Sequence, residues 1–529
     1  MKKVAFIALM LVVSVGSFAQ TVTLDPANGS PDNVSTFNSL QTAVASFATG
    51  AANDGNAAPN IINVVTTSVV DENMVADMES TSGGFDQLTI PEALTIQGSG
   101  GMATIALQQN TGAQFSLFQD CGFCWRQDVD LTLNDLYIIP STTNTPADDG
   151  MYFHSTVNNT HTAVNMNNVV ITAATAGNTP LTTTGLDTPD MTGATTFGDD
   201  GAYVVSWTTG GSITLNATDL VISNIVGDGI LIYMRGDTND IINAIGNFGP
   251  GCVISNCGRF GIQNPYGGHM RVYGSDASPV IFSNVAADLV WNNSDGLGQA
   301  TLFECGNVVA VNCGGGIKEQ ETSGRGFVKS VTDSIFAYIN HPAIELYSSG
   351  IVPATGGASD TVTVKNVTVH QCGTTATEST YDFREAGIAC PIYTSLSVDY
   401  KTNRNIDISD TIISGTNTGL YNAGDGVIDV DYSALVTSNL PGGHYYSLSQ
   451  ATLTAGTSVI NVGGNVINAN PHYDTFLAAN FTLSNFFDVE NEFFADKGTG
   501  GAPLAGGADY VGGYTPPAIT GLETWNDYR

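Results

Sequence analysis

A short strand that ends in asparagine and returns about every 28 residues constrains this chain more than any other feature. The segments Val221-Ile-Ser-Asn224, Val253-Ile-Ser-Asn256, Ile281-Phe-Ser-Asn284, Val309-Ala-Val-Asn312 and Ala337-Tyr-Ile-Asn340 place Asn at steps of 32, 28, 28 and 28. A second apolar segment follows each one: Gly229-Ile230, Gly261-Ile262, Asp288-Leu289, Gly316-Ile317 and Ala343-Ile344. The unit recurs less regularly at 131–138, 164–171, 362–369 and 406–414, the last followed by Gly419-Leu420. Val- and Ile-rich runs that alternate with small polar residues are strands, and this period does not fit helical repeats. One coil of a parallel β-helix has this length, and successive coils lie about 4.8 Å apart. The expected fold is all-β, a right-handed parallel β-helix. Residues of equal phase stack, so Asn224, Asn256, Asn284, Asn312 and Asn340 are expected to form a structural amide ladder at one turn.

An open end exposes sheet edges and needs a cover. Phe37, Leu40, Val44 and Phe47 share one helical face, with Thr36 near its start, so a short capping helix is expected at about 36–48. The stretches 140–162, 173–200 and 348–361 lack β-periodicity and read as projecting loops. At the start, Lys2 and Lys3 precede the apolar run Val4 to Val15, and small Ser17 and Ala19 precede Gln20. This pattern predicts a signal peptide at 1–19 and an exported protein, extracellular or at the cell surface, with the periplasm also open. The organisation expected is a β-helix domain over 20–514, with a closing segment at about 470–514, and a tail over 515–529 from Thr515-Pro-Pro.

The formal charge is −34, and −36 once Lys2 and Lys3 leave with the signal. So acidic a surface repels nucleic acid and suits a soluble extracellular protein or one that recruits cations. Eight cysteines fall in four local pairs, Cys121/Cys124, Cys252/Cys257, Cys305/Cys313 and Cys372/Cys390. In an exported chain an even count suggests disulfides, whose connectivity stays open. Cys121-Gly-Phe-Cys124 has redox-motif spacing, but no βαβ pattern surrounds it.

The entry Phe37-Asn-Ser-Leu-Gln-Thr-Ala-Val, the Ser-Asn…Gly-Ile coils, and the ending Asn470-Pro-His, Ala495-Asp-Lys-Gly498 and Gly507-Ala-Asp-Tyr-Val-Gly512 resemble the pectin-lyase-like β-helix superfamily. The resemblance implies the fold. It leaves open pectate lyase, polygalacturonase, other polysaccharide-active, tailspike and adhesin functions.

Candidate chemistry follows from the phase. With Ile230, Ile262, Leu289, Ile317 and Ile344 inward, the outward column is Tyr203, Leu231, Gln263, Val290, Lys318 and Glu345. Two residues further on lie Tyr233, Asn292, Gln320 and Tyr347. Aromatic rings beside amides suit sugar rings, so polysaccharide or cell-surface glycan is the expected partner. Lys318 with Glu345 reads as a surface ion pair. Asp199 and Asp200 precede Gly201, and Asp228 precedes Gly229, so Asp200 and Asp228 stack one coil apart. Polygalacturonases are similar in placing an Asp-Asp pair there, and glycoside hydrolysis needs two carboxyls. Asn-Thr-Asp, Gly-His-Gly and Arg-Ile-Lys are absent, and His269 sits in Gly-His-Met. A lyase would need a base, for which Lys318 and Arg325 stand nearest to a cluster, and a cation on the uronate. Asp237, Asn239 and Asp240, or Asp148 and Asp149, could supply oxygens for calcium. The expected function is a β-helix that binds or cleaves polysaccharide. The alternative is a structural or adhesive extracellular protein without catalysis, open to self-assembly.

Overall fold

The computed structural model describes residues 21–29, 35–51, 60–78, 87–110, 120–155, 160–182, 188–206, 211–234, 244–265, 268–275, 277–294, 301–321, 326–348, 361–373, 385–395, 398–401, 404–416, 418–424, 426–437, 445–447 and 459–463. The signal peptide, the closing segment, the tail and the trio Asp237, Asn239 and Asp240 lie outside these residues. Among the described residues no helix is long and apolar enough to cross a membrane.

Two long sheets, of 22 and 12 strands, are parallel throughout and wind as a right-handed parallel β-helix. Two small antiparallel pairs stand apart from them. Each regular coil has three arms. The first two lie in the larger sheet and are often one long strand, as in Leu131–Pro140, His161–Ile171, Ser212–Ile225 and Gly326–Ala337. The chain turns between them at a residue with positive φ: Asp135, Asn168, Asp219, Asp333 or Asn366. Asp and Asn tolerate this left-handed conformation better than other side chains. A second corner, at Asn224, Asn256, Asn284 and Asn312, is also left-handed and leads to the third arm in the smaller sheet.

Parallel pairing carries the stack, in constant register except for shifts at Phe303/Glu304 and Ser414/Thr416. Ile171, Ile222, Ile254, Phe282, Ala310, Phe336, Val369, Ile413 and Leu435 form one inward column, every member buried. Burying such a side chain contributes roughly 1.5–3 kcal/mol, so the columns dominate stability. At the Asn corner, Asn256 donates to Asn224 at 3.1 Å and Asn312 to Asn284 at 3.2 Å. Asn340 does not join them. Val311 pairs with Ala337, so Tyr338, at φ 56°, takes that corner, and Asn340 is exposed two residues later. A smaller step hides behind the recurrent letter.

The helix spans Leu40–Ala45 and covers the first coil with Leu40 and Val44, flanked by buried Phe37 and Phe47. Its N-cap is Ser39, whose Oγ accepts from Thr42 N, while Thr36 lies in a two-residue strand paired with Thr23. Two expected loops are partly structured. The range 140–162 contains the strand Asp149–His154, and 173–200 contains the paired segments Ala174–Thr175 and Thr179–Pro180. Most of 348–361 is outside the described residues.

One disulfide is present, Cys121–Cys124. Cys252, Cys257, Cys305, Cys313, Cys372 and Cys390 are free and buried, which corrects the expectation of further bridges. Cys257, Cys313 and Cys372 each follow a corner residue and hydrogen-bond a carbonyl two residues back, filling the corner as small apolar groups. Burial pushes the Cys252 thiol up to about 11 and the others higher, which makes them unreactive.

Candidate functional site

Where the chain enters the smaller sheet, glycines let neighbouring coils touch. Gly150, Gly201, Gly229 and Gly261 each donate to the carbonyl of the next coil, from Asp200, Asp228, Phe260 and Asp288. A Cβ at Gly229 would lie 2.6 Å from Gly261 O, so only glycine fits. The residue before each glycine is therefore stacked as well: Asp149, Asp200, Asp228 and Phe260. Their carboxyls knit the coils together. Asp200 N donates to Asp149 Oδ1 at 3.2 Å, Asp228 N to Asp200 Oδ1 at 3.1 Å, and Phe260 N to Asp228 Oδ1 at 3.1 Å.

Stacked and buried carboxyls cannot all ionise. Burial, with the carboxylates of Asp228, Asp199 and Asp149 beside it, pushes Asp200 up to about 8. Burial raises Asp149 to about 6, with Asp199, Asp120 and Asp148 adding to it. It also raises Asp228 to about 6, against the Phe260 amide and the Arg259 guanidinium, which favour the charged form. Arg259 reaches Asp199 Oδ1 at 3.2 Å and Asp228 Oδ1 at 3.4 Å. Oxygens of Asp149, Asp199 and Asp200 lie within 4.8 Å of one another, a hard-oxygen set that fits a divalent cation. Asp228 Oδ2, buried one coil on, has no hydrogen-bond partner.

Beside this column runs the outer face of the smaller sheet. Its register is Tyr152, Tyr203, Leu231, Gln263, Trp291, Lys318 and Glu345. The phase expected from sequence holds except in one coil. Val290 pairs with inward Ile262 and Ile317, so Val290 is core, Trp291 faces outward, and Asn292 faces inward. Asn292 is fully buried and accepts from Asn264 at 2.9 Å, which removes it from the glycan face. The omitted residue, Trp291, stacks on Phe260 with centroids 5.0 Å apart and planes 16° apart, both rings half-buried. Its Nε1 donates to Gln320 Oε1 at 3.3 Å.

The tyrosines are arranged differently. Tyr152, Tyr203 and Tyr233 meet edge to face, at 5.2 Å and 6.1 Å, and pack with Val75, Cys121, Cys124 and Val205. Tyr152 is fully buried. These rings are a packed cluster rather than a flat platform. Gln263 is buried on the same face. Lys318 Nζ lies 3.9 Å from Asp288 Oδ2 and 4.0 Å from Glu345 Oε1, so its charge is shared between two carboxylates. Tyr347 pairs in register with Gln320; its side chain, and Arg325, lie outside the described residues. Glu319 points inward, is fully buried, and pairs with Arg404 Nη1 at 2.9 Å.

The structure thus brings together Asp199, Asp200 and Asp228 with Asp149, Arg259, Phe260 and Trp291. Lys318 and Glu345 lie one and two coils beyond Trp291. Asp149 was legible as a cation ligand next to Asp148, and Phe260 was legible from its place before Gly261. No family model matches the chain, and no curated protein matches it.

Proposed function

We propose that this chain is an exported β-helix protein, of the pectin-lyase-like superfamily, that binds polysaccharide or cell-surface glycan along the outer face of its smaller sheet. The observation that carries this reading is the stacked pair Phe260–Trp291, half-buried on the outer face, with Gln320 held at the indole edge and a column of carboxyls alongside. A sugar presents an apolar face to such rings and hydroxyls to the amides and acids around them. Calcium held by Asp149, Asp199 and Asp200 would offset the local negative charge and could take sugar oxygens as ligands. The decisive experiment is a panel of polysaccharides offered to the purified chain with and without calcium. Retention that Trp291→Ala weakens is expected; equal retention of the variant refutes the placement.

A second reading, cleavage, rests on Asp200. A carboxyl held at about 8 is still protonated at neutral pH and can donate to a leaving oxygen. New reducing ends in the same panel, absent with Asp200→Asn, would establish hydrolysis. Absorbance of an unsaturated uronate would indicate elimination instead. If the panel gives neither retention nor products, the structural or adhesive alternative takes its place.

A further inference from the structure

The first arm of the larger sheet carries one unbroken outward column through eleven coils. It reads Thr132, Asn165, Asn216, Asn247, Arg271, Glu304, Ser330, Thr363, Asp407, Asp429 and Asn461. The column beside it continues Tyr273, Gly306, Thr332, Lys365, Ser409 and Asp431. Charge on this face is sorted along the axis. A neutral amide segment comes first, with Asn216 donating to Asn165 and Asn247 to Asn216. A basic segment follows, with Arg271, Lys329 at a bulge, and Lys365; Glu304 lies among them and accepts from Arg271 at 2.9 Å and Lys329 at 3.3 Å. An acidic segment closes the face, with Asp407, Asp429 and Asp431 lining a concavity of about 390 Å³.

Three facts set this face apart. The whole chain has only 15 Lys and Arg, yet three exposed ones gather here. Elsewhere among the described residues, Arg126, Arg259, Lys318 and Arg404 each pair with an acid, whereas on this face Arg271 and Lys329 share the single Glu304. On this face, no described acid lies within ion-pair distance of Lys365, and no described cation pairs with Asp407 or Asp429. Asp407 is raised by burial and by the charge of Asp429.

We infer that this face is a self-complementary interface through which two copies of the chain pair antiparallel. A two-fold axis between the strands Val362–His370 and Ile406–Ser409 sets Lys365 of each copy against Asp407 of the other, and Lys329 against Asp429. Leu302 adds apolar contact at the basic end. The six strands from Glu304 to Asn461 that face their two-fold mates span about 24 Å, and five residues of each about 17 Å. Both copies together bury about 800 Å², the size of a weak interface steered by charge. The inference is independent of the glycan-binding reading, which uses the other sheet.

Charge reversal tests it. One variant carries Lys329→Glu and Lys365→Glu; the other carries Asp407→Lys and Asp429→Lys. All four positions are exposed, and circular dichroism checks the fold. By sedimentation velocity over a dilution series up to about 100 µM, the range in which a weak interface associates, the parent chain should shift toward dimer as concentration rises and each variant should stay monomeric. An equimolar mixture of the two variants should return to dimer, because an all-acidic face then meets an all-basic one at both ends. A monomeric parent chain, a variant that still dimerises alone, or a mixture that stays monomeric overturns the inference.

Discussion

Replacing Asp200 by Asn should stabilise the protein at neutral and alkaline pH while leaving the stack intact. The amide oxygen of Asn can still accept from Asp228 N, so the inter-coil bond at 3.1 Å survives. What disappears is the cost of ionising a carboxyl that lies in a row with Asp149 and Asp228. The folded value is about 8 against 3.8 for the free group, so the folded state holds the proton more tightly than the unfolded chain. With more protons bound in the folded state, stability must fall as pH rises between these two values. At pH 7 the interval covered is about 3 units, which corresponds to an upper bound of about 4 kcal/mol. The assay is urea denaturation of parent and Asp200→Asn at half-unit steps from pH 4.5 to 8.5. The parent curve should decline steeply and the variant curve much less, with the gap widening to pH 8. Parallel curves would mean that Asp200 is ionised in the folded state, and the proton-donor reading would fall with it.

Other expectations follow from neighbouring groups. Arg404→Met strands the fully buried Glu319 and should cost about 3–5 kcal/mol, whereas pairing it with Glu319→Leu should recover most of the loss; thermal unfolding of the two variants decides this. Trp291→Ala should weaken glycan binding about tenfold with little change in melting temperature, because the ring lies on the outer face of the sheet and not in the core; affinity electrophoresis measures the first and calorimetry the second. Tyr152→Ala should instead lower the melting temperature, since its ring is fully buried among Tyr203, Cys121 and Cys124. Millimolar calcium should raise the melting temperature at pH 8 more than at pH 5, since Asp149 and Asp200 must lose protons to bind it; a shift that persists in Asp199→Asn with Asp149→Asn would place the ion elsewhere.

The coil period, the parallel stacking and the pairing of Asp200 with Asp228 were all legible in one dimension, because a solenoid turns sequence distance into vertical neighbourhood. The errors arose where that conversion slipped by one or two residues. From Asn224 to Ile230, and from Asn256 to Ile262, the turn takes six residues, and so it does from Asn284 to Val290. Assigning the inward place to apolar Leu289 shortened it by one, which inverted the two faces of that strand and hid Trp291. At Asn340 the recurrent letter outweighed a corner displaced to Tyr338. Both slips have one origin: Leu, Val, Tyr and Asn are each acceptable in two adjacent positions, and only hydrogen-bond register chooses between them.

Repetition of short apolar runs at a near-constant period is enough to predict that this chain coils, since stacked coils bury every run and pair the backbone groups of neighbouring coils. It also determines that acids before a recurrent glycine stack. Which of those acids stay protonated, which rings lie flat, and which thiols remain unpaired came from packing between coils. Those properties depend on distances across the coil and on exclusion of water, and neither is a function of position along the chain. The sorting of charge along the larger sheet is of the same kind: Arg271, Lys329, Lys365, Asp407 and Asp429 are scattered over 159 positions and become one face only when the coils are stacked.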